Sequence, residues 1–422
     1  MMNSRRQFIQ NVSIASAGAL LLPVTSALAA TGSLKGKKIL VRSGWQTVNI
    51  GDIGHTFGLL AIMEAHLTGV EIVLWIKSYD KGVGELLEQY FPKVQLIKSK
   101  PEDNAADVKK AFDDCSFFIH SSGPFVTAQK ELQAWWDITK KPFGIYGVSL
   151  DEVDSDLAAL IENASFFYCR DTESLKYLKT LNNKCPVQGF APDATFGIKI
   201  YNDKKAADYL QAVGLKAGEY ICVIPRLRYT PYWQMVGREP SESEKEKYAI
   251  SMAFKERDGE KMRNVITSWV KATGLKVLVC PEVTYQVAFS KENLYDPLPD
   301  DIKKNVVWRD SFWLPDEATS VYKNARAMVC CEPHSLIMAV ANGIPSIHVK
   351  QSTDTRKGQM WRDIGLGDWY FLMDETPASQ ISRELLNIHN NYNDAQIKVK
   401  KAMDYVRSVQ KDTMEVVKKN IK

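Results

Sequence analysis

The sequence lacks the usual signs of an outer scaffold. It has seven cysteines, an odd number, and no CxxC pair joined to a second pair at zinc-finger spacing. That argues against a complete disulfide framework and against a structural metal. Cys115, Cys169, Cys185, Cys222, Cys280, Cys330 and Cys331 mostly fall in or beside apolar stretches, where cysteine behaves as a small hydrophobe. Net charge is also scarce. A formal +4 on 422 residues gives no ground for nucleic acid as a partner. Beyond the first thirty residues no run of eighteen apolar residues occurs, so no stable membrane insertion is expected there. Neither a repeat of solenoid length nor a low-complexity tract is present.

What remains reads as a globular chain, 45% apolar and 25% charged, long enough for two domains with separate cores. Its ten tryptophans and seventeen tyrosines suit carbohydrate stacking or core packing equally well. Residues 1–29 carry Arg5-Arg6, an apolar run over 12–22, and the small-residue site Ala27-Leu28-Ala29. This is the pattern of a twin-arginine signal peptide, and it predicts export of an already folded chain to the periplasm or beyond.

Strand and helix patterns then alternate. Apolar runs at 38–42, 71–75, 116–120, 143–148, 165–169 and 187–190 form one series. Runs at 220–224, 276–280, 306–308, 327–331 and 346–349 form a second. The expectation is an α/β chain with an N-terminal domain over 35–197 and a C-terminal domain over 205–376. A charged helical tail follows over 377–422. The stretch 229–260 holds Tyr229, Tyr232 and Trp233 before a charged run. It is either a long ligand-facing loop or a solvated helix with an aromatic anchor.

The candidate chemistry gathers behind strand ends. Residues 327–350 read as strand, turn, helix, turn, strand, with Glu332 at the N-cap, Pro333 at the first helical position and His334 in the first turn. Ligands bind at such strand ends in open α/β sheets, although an ordinary βαβ unit with a surface histidine has the same pattern. The helix N-terminus disfavours an imidazolium and Glu332 favours it, so His334 is expected to titrate near neutrality and to act as acid or base. Ser335 beside it is a candidate substrate contact. After the first strand, Gly44, Gly51 and Gly54 would let backbone N–H groups approach an anion, but their spacing is not the dinucleotide fingerprint. In the same turn Asn49 can both donate to and accept from a sugar hydroxyl. Asp52 is a helix N-cap or a binding group, and His55 a cleft-facing side chain. Arg226 and Arg228 follow the strand at 220–224, where alternation would make a doubled site for carboxylate or phosphate. Asp193, after another strand end, is a catalytic candidate or a cap.

Taken together, these stretches resemble the polysaccharide pyruvyl transferase family. The resemblance is carried by NIGDIGHTFGLLA from Asn49, SSGPF from Ser121, FGIYGVSL from Phe143, CRDTESLKYL from Cys169, APDATFG from Ala191 and CCEPHSLIMAVANGIPSIHV from Cys330. It implies a GT-B-like fold, two Rossmann-like domains facing across a cleft. It also implies transfer of the pyruvyl unit of phosphoenolpyruvate onto two sugar hydroxyls as a ketal. His334 would be the acid/base catalyst and Arg226 the donor clamp, with Glu332 and Asp193 as further catalytic candidates. Asn49, Asp52, His55, Arg228, Ser335, Tyr229 and Trp233 would surround the substrates. No metal or cofactor is called for; phosphoenolpyruvate is the donor, and a glycan or glycoconjugate the partner. The family resemblance implies arginine-x-histidine where this chain has Glu332-Pro333-His334, a charge reversal that would repel an anionic donor. The alternatives are a periplasmic glycan hydrolase or lyase on the same scaffold, and a non-catalytic glycan-binding protein.

Overall fold

The computed structural model describes residues 34–100 and 105–421; the export signal read at 1–29 lies outside the described residues. The first sheet holds β1 (Lys38–Arg42), β2 (Glu71–Trp75), β3 (Gln95–Ile97), β4 (Phe117–His120), β5 (Phe143–Val148), β6 (Phe167–Cys169) and β7 (Gln188–Phe190). The second holds β8 (Tyr220–Ile224), β9 (Lys276–Val279), β10 (Val306–Trp308), β11 (Ala327–Cys330), β12 (Ser346–Lys350) and β13 (Tyr370–Leu372). All neighbouring strands pair parallel. β4, β5, β8 and β11 are buried along their whole length, as the apolar runs of a sheet covered on both faces require.

The strand orders are β3-β2-β1-β4-β5-β6-β7 and β10-β9-β8-β11-β12-β13. Each sheet therefore reverses its winding once, between β1 and β4 and between β8 and β11. Crevices open at such reversals, outside the carboxyl ends of the strands. β1 leads into the turn before Asn49, β8 into Arg226, and β11 into Glu332 and His334. The two reversals thus supply the walls of one cavity.

Helix α1 (Ile50–His66) begins at Asn49, whose side-chain oxygen accepts from the N–H of Gly51 at 2.8 Å and of Asp52 at 3.4 Å. Asn49, not Asp52, is therefore the N-cap, and Asp52 lies inside the first turn. This also corrects the anion cradle expected at Gly51 and Gly54, because both sit within the helix. Their small size serves close packing instead. A Cβ on Gly51 would stand 2.4 Å from His334 Nδ1, and one on Gly58 1.9 Å from the Ala194 carbonyl oxygen.

The stretch 229–260 is mostly helix, not loop. Ser241 and Glu244 form a reciprocal capping box that starts α2 (Glu242–Thr273), a helix of 32 residues closed by Gly274 in the left-handed conformation. His334 lies on α3 (Pro333–Ala341). The tail forms α4 (Ala378–Asn390) and α5 (Tyr392–Asn420). It returns to the first sheet, where Thr413 and Tyr146 share a 3.0 Å hydrogen bond and Tyr405 stacks on Phe190.

Candidate active site

A cavity of about 620 Å³ lies at the two winding reversals. Asn49, Asp52, Arg226, Arg228, Tyr229, Trp233, Glu332 and His334 all line it. Among the residues expected there, His55, Asp193 and Ser335 are fully buried behind the wall. Ser335 is ruled out as a substrate contact, because its hydroxyl meets Tyr322 at 3.2 Å and its N–H donates to Glu282 at 2.7 Å.

His334 stands at the centre. Its Nδ1 lies 3.3 Å from Glu282 Oε1, while its Nε2 has no hydrogen-bond partner. Nε2 is itself buried and stands 3.9 Å from Asp193 Oδ2. With Glu282 ionised, Nδ1–H donates and the lone pair is on Nε2; with Glu282 protonated, the roles reverse. Burial raises the Glu282 carboxyl, against the pull of the Ser335 N–H. His334 does not titrate near neutrality as expected. Burial, reinforced by the adjoining His55, pushes it down to about 3. The resting side chain is a neutral imidazole. Glu282 had no signal of its own in sequence; it follows β9 in an unremarkable Cys280-Pro281-Glu282 turn.

Behind His334 runs a buried chain of charge. His55 meets the His334 ring edge-on, with centroids 4.6 Å apart, and its Nδ1 lies 2.9 Å from Asp193 Oδ1. Arg170 donates to Asp193 Oδ2 at 2.9 Å and to Ser149 Oγ at 2.9 Å. Burial works against the Asp193 charge, but His55 and Arg170 more than offset it and hold the carboxyl well below its usual range. His55, Asp193 and His334 each present one ligand atom within 4.8 Å of the others. A divalent ion there would face the Arg170 guanidinium already on Asp193, so the cluster suits a shared proton better than an added dication.

The expected doubled positive site does not form. Beyond Ile224 the two arginines diverge. Arg226 pairs with Glu332 at 3.1 Å and with Asp354. Glu332 also accepts from Gln286 at 3.0 Å. Burial raises the Glu332 carboxyl, and Arg226 opposes that. Arg228 is held by Asp258 at 2.9 and 3.0 Å, by Asp374 at 2.5 Å and by Ser352 at 3.0 Å, with its guanidinium 3.8 Å over the Phe254 ring. Arg228 is thus a structural ion pair whose edge reaches the cavity. Glu332 does not stand as a bare negative charge, because it is spent on Arg226.

The remaining wall is aromatic and amphipathic. Asn49 Nδ2 donates to the Tyr232 hydroxyl at 3.3 Å, and that hydroxyl donates to Asp52 at 3.4 Å. Trp233 packs edge-on against Tyr248, and Phe125, 58% exposed, lines the same cavity. Lys357 also lines it, from the 3₁₀ turn Arg356–Gln359 after β12. Neither Phe125 nor Lys357 was singled out from sequence.

The sequence pattern of one family, described as polysaccharide pyruvyl transferase, matches residues 49–353. No curated protein sequence matches the chain. Among solved structures, Anabaena HepE in complex with UDP is similar at TM-score 0.53 and 10% identity, covering 90% of this chain and 99% of that one. A putative UDP-N-acetylglucosamine 2-epimerase from Listeria monocytogenes gives 0.57 and 10%, covering 90% and 95%. Phytolacca americana UGT2, complexed with UDP-2fluoro-glucose and pterostilbene, gives 0.54 and 12%, covering 92% and 100%. At such identities these likenesses speak to fold alone: two Rossmann-like halves in the GT-B arrangement.

Proposed function

Because the chain belongs to the polysaccharide pyruvyl transferase family, we propose that it transfers the pyruvyl unit of phosphoenolpyruvate to two hydroxyls of a glycan as a ketal. The observation that carries this reading is His334. Its side chain lines the cavity, its buried Nε2 has no hydrogen-bond partner and stands 3.9 Å from Asp193 Oδ2, and its Nδ1 is backed by Glu282. A neutral imidazole in that setting relays the proton of the first sugar hydroxyl to C3 of the donor. The C2=C3 π pair forms the new C3–H bond, so that C3 becomes the methyl group, and the hydroxyl oxygen bonds to the oxocarbenium-like C2. The second hydroxyl displaces phosphate from C2, its proton leaving on the phosphate. The products are a ketal and inorganic phosphate. The aromatic wall of Tyr229, Trp233 and Phe125 suits the apolar faces of sugar rings.

The test is to incubate the purified chain with phosphoenolpyruvate and candidate glycans and to follow phosphate release and ketal formation by mass spectrometry. Both are expected, and His334→Ala should lower the rate by at least ~100-fold. Depolymerisation of a glycan with no donor present, and no ketal, would replace this reading by a hydrolase or lyase. One feature favours that second reading: the twin-arginine pattern, which would carry the chain away from a cytoplasmic donor. We also propose export by that pathway. Arg5→Lys with Arg6→Lys should retain the chain in the cytoplasmic fraction, and unchanged fractionation would discard the export reading.

A further inference from the structure

The consecutive residues Tyr229 to Trp233 all line the cavity. They begin a stretch whose two ends are tied to α2. The Tyr229 N–H donates to Ser251 Oγ at 3.0 Å, and Arg238 forks onto the Glu244 carboxylate at 2.8 and 2.6 Å. Between these anchors, residues 230–237 bond mainly to themselves. They form a single helical turn, Tyr232–Met235, and end at Gly237 in the left-handed conformation, φ 65°. Gln234, Val236 and Gly237 are exposed. Among the described residues, the polar tie from this arch to the first half is the Tyr232 hydroxyl, between Asn49 and Asp52.

The far side of that tie is held firmly. Asn49 spends its side-chain oxygen on capping α1, which fixes the direction of its Nδ2. Its backbone pairs antiparallel with Val283 of the second half. There the Ile50 N–H donates to the Glu282 carbonyl at 3.0 Å, and the Thr284 N–H to the Val48 carbonyl at 2.9 Å. Backbone bonds thus join the two halves beside the latch, and they oppose any swing of the halves apart at this point. The arch is held by much less. Its tie is 3.3 and 3.4 Å long, at the weak end of hydrogen bonding, and its tip faces solvent. Segments with few buried contacts open at low cost.

We propose that residues 230–237 are the gate of this cavity and that the Tyr232 hydroxyl is its latch. Burial, and then Asp52, hold the phenol well above its usual range, so the hydroxyl keeps the proton it donates. Opening breaks one bond to Asn49 and one to Asp52, and leaves a donor and an acceptor at the cavity wall. A ligand hydroxyl both donates and accepts, so it takes the place of the phenol between them. That the ligand is a glycan rests on the transferase reading; the gate does not.

The experiment measures entry directly. Gln46 lines the cavity, and all seven native cysteines are buried. Gln46→Cys in the full chain therefore supplies one thiol, whose reaction with fluorescein maleimide reports opening of the gate. Tyr232→Phe keeps the ring and removes the latch, and should speed that reaction roughly 10-fold. Should Gln46→Cys fail to fold, amide hydrogen exchange with and without Tyr232→Phe serves instead. The Val236 and Arg238 amides should exchange faster in the variant, while those of Ile50 and Thr284 keep their slow rate. Equal labelling rates, arch amides indifferent to Tyr232→Phe, or Ile50 and Thr284 amides as fast as the arch would each overturn the gate. In turnover, Tyr232→Phe should lower the KM for the glycan, which no longer competes with the phenol. A raised KM would overturn that replacement and leave the gate standing, whereas gated entry without any ketal would overturn the transferase reading alone.

Discussion

His334 can work as a base only in one of its two neutral tautomers, and Glu282 selects between them. Ionised, it accepts from Nδ1–H at 3.3 Å and leaves the lone pair on Nε2. Glu282→Gln separates this positioning role from simple packing. The amide oxygen can still accept from the Ser335 N–H, now 2.7 Å from Oε2, while the amide NH₂ donates to Nδ1 and forces the proton onto Nε2. The variant should keep its thermal midpoint and its KM for phosphoenolpyruvate but lose kcat by on the order of 100-fold. The ring-nitrogen NMR signals of His334 should report the other tautomer. Unchanged kcat with an unchanged tautomer would remove Glu282 from the mechanism.

At the scale of elements, legibility followed burial. Strands covered on both faces left unbroken apolar runs, so β1, β2, β4, β5, β8 and β11 could be read directly. The edge strands β3 and β13, each three residues long and partly exposed, were not read, although the equally short edges β7 and β10 were. The N-terminal half of α2 was hidden for a related reason. The buried apolar residues of the helix, Met262, Val265, Ile266, Trp269 and Val270, lie in its C-terminal half, so its start has no apolar stripe. The capping box at Ser241 was the available signal. The candidate site divides in the same way. His334, Glu332 and Arg226 stand beside strand ends where chemistry is sought, and that placement is visible in a single sequence. Who pairs with whom is not. Glu332 spends its charge on Arg226, Asp258 and Asp374 take Arg228, and Glu282, just after β9, is 52 residues from His334 in the chain. Such partnerships are decided by which loops the sheet order brings together.

Across the whole molecule, the site depends on the close approach of α1 from the first half and α3 from the second. The bare face of Gly51 against His334 leaves no tolerance for drift. α5 packs on α1, α3 and α4, which makes it the brace of that joint. It buries Val399, Ala402, Met403, Val406, Met414 and Val417 on one side, and Thr413 reaches Tyr146 behind the first sheet. Apolar side chains of this size contribute about 1.5–3 kcal/mol each when fully buried. Their sum is comparable to the whole stability of a typical domain, about 5–15 kcal/mol. Deleting residues 392–422 should therefore yield aggregated chain that binds hydrophobic dyes. The milder Val406→Asp places one charge in that buried seam and should lower the thermal midpoint while also reducing kcat, because the joint loosens before the sheets unfold. A truncated chain that does not aggregate, with its midpoint unchanged, would make α5 an appendage. The closeness of Gly51 and His334 would then have to be held by the α1–α3 contact alone.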